Sequence, residues 1–174
     1  MEEEVIVDNP QVIQLLNDYK NTIPVPVMEI AGKYGLKVYE TKSLSDSEAG
    51  LIQKEDSGEY SILVNARNSS NRKRFTIAHE IMHFLLHKDY IDSNYITPNK
   101  QPVKSSDDNT GLTEEENDRE IEANKHASIL LMPMDKFREI WKKSNSIEQV
   151  AEAFNVSVAA AAIRGDKLLK EIIL

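Results

Sequence analysis

The sequence predicts an α+β fold, mostly helical, with a small antiparallel sheet of about three strands packed on a central helix. Three observations lead there. The runs LKVYET (36–41), AGLIQKE (49–55) and EYSILVNA (59–66) are rich in β-branched and aromatic residues and are separated by Ser, Asp and Gly. The rest of the chain carries helical periodicity and helix caps. One helical stretch, RFTIAHEIMHFLLH (74–87), is apolar nearly all round, and such a helix belongs in the middle of a protein.

In chain order, residues 10–20 read as a short helix, and residues 25–34 as a second that Gly35 ends. The three strands follow with short connections, the pattern of an antiparallel sheet. NSSN (68–71) supplies N-caps for the histidine helix, which runs to about Lys88. Residues 88–112 show no clear periodicity, and a structureless link of that length is functional or disordered. Thr113 and Glu116 form a capping box opening a helix that Pro133 stops. Residues 135–143 form another helix, and Ser146 with Gln149 caps a helix over 147–154. Ser157 caps a last one ending near Gly165. The expected organisation is a main domain over 1–144 that carries the histidine helix, with a C-terminal helical extension, 145–174, of helix-turn-helix rhythm packed on it.

Composition narrows the function. A chain of 174 residues is long enough to bury a proper core, and 40% hydrophobic with 29% charged residues suits a water-soluble globular protein. The longest apolar runs fall far short of the ~18 to 20 residues of a membrane span. MEEEVIVDNP lacks the basic flank and apolar core of a signal peptide. The absence of cysteine excludes disulfides and thiolate ligands and fits a reducing cytoplasm, the expected location. A net charge of −8 argues against a non-specific grip on nucleic acid.

The histidine helix holds three of the chain's four histidines, at a spacing of four, with Glu80 among them. Side chains at i and i+4 stand about 5–6 Å apart at Cβ, so His79 and His83 can reach one ion from adjacent turns. Glu80 is rotated by about 100° from His79 and stands beside that ion, where it can accept a proton from water. His-Glu-x-x-His thus supplies two ligands and a base in five residues. A buried helix carrying two histidines and a glutamate would be costly with nothing to hold them together. His87 lies about 12 Å along the axis from His79 and cannot share the ion, so a structural or supporting hydrogen bond is expected of it.

A catalytic zinc takes three protein ligands and keeps one position for water. Without cysteine the third must be His, Asp or Glu, and DREIEANKHASILLMP (118–133) offers Glu120 and Glu122. Ala123, Ala127, Leu130 and Leu131 mark the buried face, with Glu120 about 35° from its centre and Glu122 turned well away. Glu120 is the better ligand and Asn124 could orient one, while Glu122 reads as a solvated carboxylate. His126 reads as a satisfied structural histidine. Arg72 and Arg74 read as anchors of the helix start or as partners of acids rather than as groups that do chemistry.

These residues resemble the ImmA/IrrE metallo-endopeptidases. The matching pieces are ILVNARNSSNRKRFTIAHEIMHFLLH (62–87) and EIEANKHASILLMP (120–133), with VAEAFNVSVAAAAIR (150–164) more weakly. The resemblance implies a gluzincin-like protease holding one zinc ion per chain on His79, His83 and Glu120, with Glu80 as general base. It also implies a substrate: a helix-turn-helix repressor encoded nearby, cut to switch on genes of a mobile element or a stress response. No direct nucleic acid and no membrane are expected as partners. Met82 stands where the family often has Gly, His126 where it usually has Phe, and the segment 88–112 is longer than typical. Each departure bears on access, substrate choice or metal affinity. The oxyanion donor is open between Tyr90, Tyr95 and His126.

Two other readings compete. IEQVAEAFNVSVAAAAIRGD has helix-turn-helix rhythm, yet its reading helix offers one polar side chain, Arg164, where base readout needs several. Residues 146–174 also carry Glu148, Glu152, Asp166 and Glu171 against Arg164, Lys167 and Lys170. The other alternative is a metal-binding partner that sequesters a repressor or toxin without cutting it.

Overall fold

The computed structural model describes residues 8–93, 104–106 and 113–173. Along the chain run α1 (Pro10–Tyr19), α2 (Val27–Lys33), β1 (Leu36–Thr41), β2 (Glu48–Lys54) and β3 (Tyr60–Asn65). Then come α3 (Ser70–Leu86), α4 (Lys88–Ser93), β4 (Lys104–Ser106), α5 (Glu114–Leu131), α6 (Met134–Ser144), α7 (Ile147–Phe154) and α8 (Val158–Ile173). The fold is α+β and mostly helical. It divides into two compact units, one spanning Pro26–Ala127 and the other made of residues up to Val25 and from Ser128 onward.

The sheet lies in the first of these units. Its strand order is β1-β3-β2-β4. β2 and β3 are antiparallel, as a hairpin requires, and the turn between them uses Gly58 at φ 86°. β1 pairs with β3 in parallel, from Leu36 opposite Tyr60 to Thr41 opposite Asn65. The sheet is therefore mixed, not purely antiparallel, and it gains the three-residue β4 along β2. The reason lies in β3. Five of its six residues are buried, so it takes the central place that a strand covered on both faces needs. β1, buried chiefly at Leu36, is left to the edge.

α3 packs on β2 and β3. Ser69 caps it by accepting a bond from the Arg72 backbone N–H. Gly50 sets how closely the helix approaches the sheet. A Cβ there would stand 2.4 Å from Thr76 Cγ2 and 2.6 Å from the Leu63 carbonyl oxygen. Thr76 is itself turned back onto the helix, its hydroxyl donating to the Arg72 carbonyl at 3.0 Å. The segment after α3 is not structureless throughout, since α4 follows at once and β4 lies beyond it. α4 is pinned to the sheet through Asp92, which accepts from Tyr60 and, at 3.1 Å, from Lys54.

α5 opens with the expected capping box: Thr113 N–H donates to the Glu116 carboxylate at 2.9 Å, and Glu116 N–H to the Thr113 hydroxyl at 3.2 Å. Pro133 separates its end from α6.

In the other unit, Phe137 of α6 stacks on Phe154 of α7 with centroids 6.1 Å apart. α8 runs past Gly165 instead of ending there. A Cβ on Gly165 would meet the Phe137 ring at 3.4 Å and Ile147 at 3.6 Å, so this glycine serves close packing and not helix termination. Arg164 is 2% exposed and its Nε donates to the Met132 carbonyl at 3.1 Å. The side chain a DNA-reading helix would have needed is used inside the protein.

Candidate metal centre

α3 is buried from Thr76 to His83, so its histidines face protein and not water. His79 and His83 are 3% and 4% exposed, with rings edge-on and centroids 4.5 Å apart. α5 brings Glu120, 7% exposed, against both. Its Oε2 lies 3.2 Å from His79 Nε2, its Oε1 3.0 Å from His83 Nε2, and the two nitrogens are 2.9 Å apart.

Hydrogen bonds alone cannot satisfy this triangle. Glu120 can accept from both rings only if each carries its proton on Nε2, and the two N–H groups would then confront one another. A cation between the two imidazole nitrogens and the carboxylate satisfies every contact. Donor atoms around a tetrahedral zinc stand about 3.3 Å apart, given bonds of about 2.0–2.1 Å, and the observed spacings lie within a few tenths of an ångström of that. The three side chains could hold a metal ion.

Their protonation suits the task. Burial opposes charge on Glu120, yet its contacts with His79 and His83 outweigh it and hold its pKa down at about 2. Burial drives His83 down to about 4, the neighbouring His79 charge assisting. At neutral pH Glu120 is thus ionised and His83 neutral, the forms that donate to metals. His79 is also opposed by burial, but Glu120 and the nearby Glu80 charge raise it above its ordinary value. Glu80 is 1% exposed.

The remaining candidates fall outside the triangle. Glu122 is partly open to solvent, as expected, and it also pairs with His87 at 2.9 Å. Sequence reasoning missed that pair, whose one trace is His87 continuing the four-residue spacing. Asn124 acts on His79 and favours its protonated form, although no hydrogen bond of good geometry reaches His79 Nδ1. The Tyr90 hydroxyl donates to Glu116 at 2.9 Å, and the Arg119 guanidinium covers its ring at 3.8 Å. His126 is buried, so the buried arc of α5 is wider than periodicity implies. Its Nδ1–H donates to the Glu122 carbonyl at 2.8 Å, and its Nε2 has no partner among the described residues. Arg72 and Arg74 are half-buried in the first two turns of α3, and Met82 is fully buried. Tyr95 lies outside the described residues.

Comparison with known proteins agrees with this geometry. The family model of Peptidase_M78, the IrrE N-terminal-like domain, matches residues 31–165. No curated protein matches. Among solved structures, a chain titled Mycobacterium tuberculosis transcriptional regulator is similar at a TM-score of 0.58 and 17% identity. The match covers 88% of this chain and 45% of that one, so this chain spans less than half of that protein's length. At such identity the likeness is one of fold.

Proposed function

The chain belongs to the IrrE N-terminal-like family of peptidases, Peptidase_M78, and from that premise we propose that it is a zinc-dependent endopeptidase whose substrate is a helix-turn-helix repressor encoded nearby. Cutting the repressor would release the genes of a mobile element or a stress response. The observation that carries the reading is the buried meeting of His79, His83 and Glu120 with Glu80 on the adjoining helix face.

Two imidazoles and a carboxylate, with no cysteine in the chain, are the donor set of a hydrolytic zinc site with one position left for water. Bound there, zinc would supply the Lewis acidity that brings water near ionisation at neutral pH and polarises a carbonyl. Glu80 accepts the proton of the attacking water and returns it to the leaving amine nitrogen. Its burial keeps that exchange away from bulk solvent. Tyr90 and His126 already donate their protons to Glu116 and to the Glu122 carbonyl. Either would have to give up that bond to serve a developing oxyanion. A net charge of −8 complements a partner whose DNA-contacting surface is basic. No helix among the described residues is long and apolar enough to cross a membrane, and a cytoplasmic enzyme is the reading that goes with a repressor as substrate.

The test pairs the wild type with Glu80→Gln, each co-expressed with the neighbouring repressor. Both are expected to hold zinc and bind the repressor, and only the wild type to cleave it and derepress the target promoter. Derepression that persists in Glu80→Gln would overturn proteolysis in favour of a partner that sequesters the repressor.

A further inference from the structure

Behind the metal-facing edge of His83 runs a second set of contacts that the triangle does not use. His83 Nδ1 lies 3.0 Å from His87 Nδ1, and His87 Nε2 lies 2.9 Å from Glu122 Oε2. His87 is buried, while Glu122 is partly open to solvent. We propose that His87 and Glu122 are positioning residues that together fix the tautomer and orientation of His83, holding its Nε2 lone pair toward the metal. The inference rests on the metal site proposed above.

Proton counting leads there. A carboxylate oxygen accepts, so His87 presents N–H at Nε2 toward Glu122 Oε2. A neutral imidazole has one N–H, which leaves His87 Nδ1 as an acceptor. It can then accept only from His83 Nδ1–H, and His83 Nε2 keeps its lone pair for the ion. The carboxylate that usually stands directly behind a metal histidine is here relayed through a second imidazole. The elements explain how. His83 and His87 are one turn apart on α3, and α5 supplies both the ligand Glu120 and, two residues on, the supporting Glu122. Among the described residues His79 shows no equivalent relay: its Nδ1 is buried without a hydrogen-bond partner, although the Asn124 side chain favours its protonated form. The two ligands are thus unequal: His83 has an imidazole–carboxylate relay behind it and His79 has none among the described residues.

The experiment uses the zinc-loaded full chain labelled with 15N at histidine, together with zinc affinity from competition against a chromophoric chelator. In the wild type, His87 is expected to carry its proton on Nε2, and a 15N–15N coupling across the hydrogen bond is expected between the Nδ1 atoms of His83 and His87. Glu122→Ala should weaken zinc binding by about 10- to 100-fold. Glu122→Gln, which keeps an acceptor oxygen, should lose less, and the exposed control Glu115→Ala nothing. Because Glu122 is partly exposed, its variants are expected to fold, which thermal melting of the metal-free chains checks. A His87 proton found on Nδ1, or Glu122→Ala that melts lower yet binds zinc as tightly as the wild type, would reduce the pair to a helix–helix pin. A wild type that binds no zinc would overturn the proposed function and this inference with it.

Discussion

His79 and His83 lie one helical turn apart yet differ as bases, and the difference is open to titration. Burial keeps His83 neutral until the pH falls to about 4, while Glu120 and Glu80, against the opposing effect of burial, raise His79 above its ordinary 6.5. In the unfolded chain both protonate near 6.5. The folded, metal-free protein therefore gains stability from His79 as the pH falls toward about 6.5, and loses it through His83 between about 6.5 and about 4. Glu120 acts lower: its contribution is complete above about 4.5 and lost as the pH falls toward about 2. Melting temperatures of the metal-free chain across this range should pass through a maximum near 6.5. A midpoint that stays level from 6.5 down to 4 would mean that His83 is not held neutral by the fold.

At the scale of elements, the close seat of α3 on β2 sets where the histidines stand, and Gly50 is what permits it. Gly50→Ala would drive a methyl group into Thr76 and the Leu63 carbonyl. The expected cost is about 1–3 kcal/mol by denaturant unfolding, with weaker zinc binding as α3 shifts. Unchanged stability and affinity would show that the helix has room to spare. Local pattern was a good guide where one element decides the outcome. On α5 the small and apolar positions Ala123, Ala127 and Leu130 mark the buried face, which separates Glu120, beside His79 and His83, from Glu122. Thr113–Glu116 and Ser146–Gln149 announce helix starts because the capping bonds are local. Pattern was silent where two elements decide it. The His87–Glu122 pair depends on how α3 and α5 are turned toward each other, and the parallel pairing of β1 with β3 depends on which strand the rest of the fold buries. Gly165 reads as a helix end until its neighbours Phe137 and Ile147 are known.

For the whole molecule, the metal-binding reading needs only residues within the Pro26–Ala127 unit. The helix-turn-helix rhythm of the C-terminal region belongs to the other unit, where Arg164 is spent on the Met132 carbonyl, and the net charge of −8 on the whole chain opposes DNA. Sequence rhythm there follows from helix packing, because α7 and α8 must bury Val150, Phe154 and Ala161 whatever they bind. The central claim is that a zinc ion occupies the triangle of His79, His83 and Glu120. Metal content per chain after mild purification tests it most directly, measured for the wild type, Glu80→Gln and Glu120→Gln. Close to one zinc is expected in the wild type and in Glu80→Gln, and its loss in Glu120→Gln. A wild type that stays empty after reconstitution with zinc, or a Glu120→Gln chain that binds it as tightly as the wild type, would contradict the account.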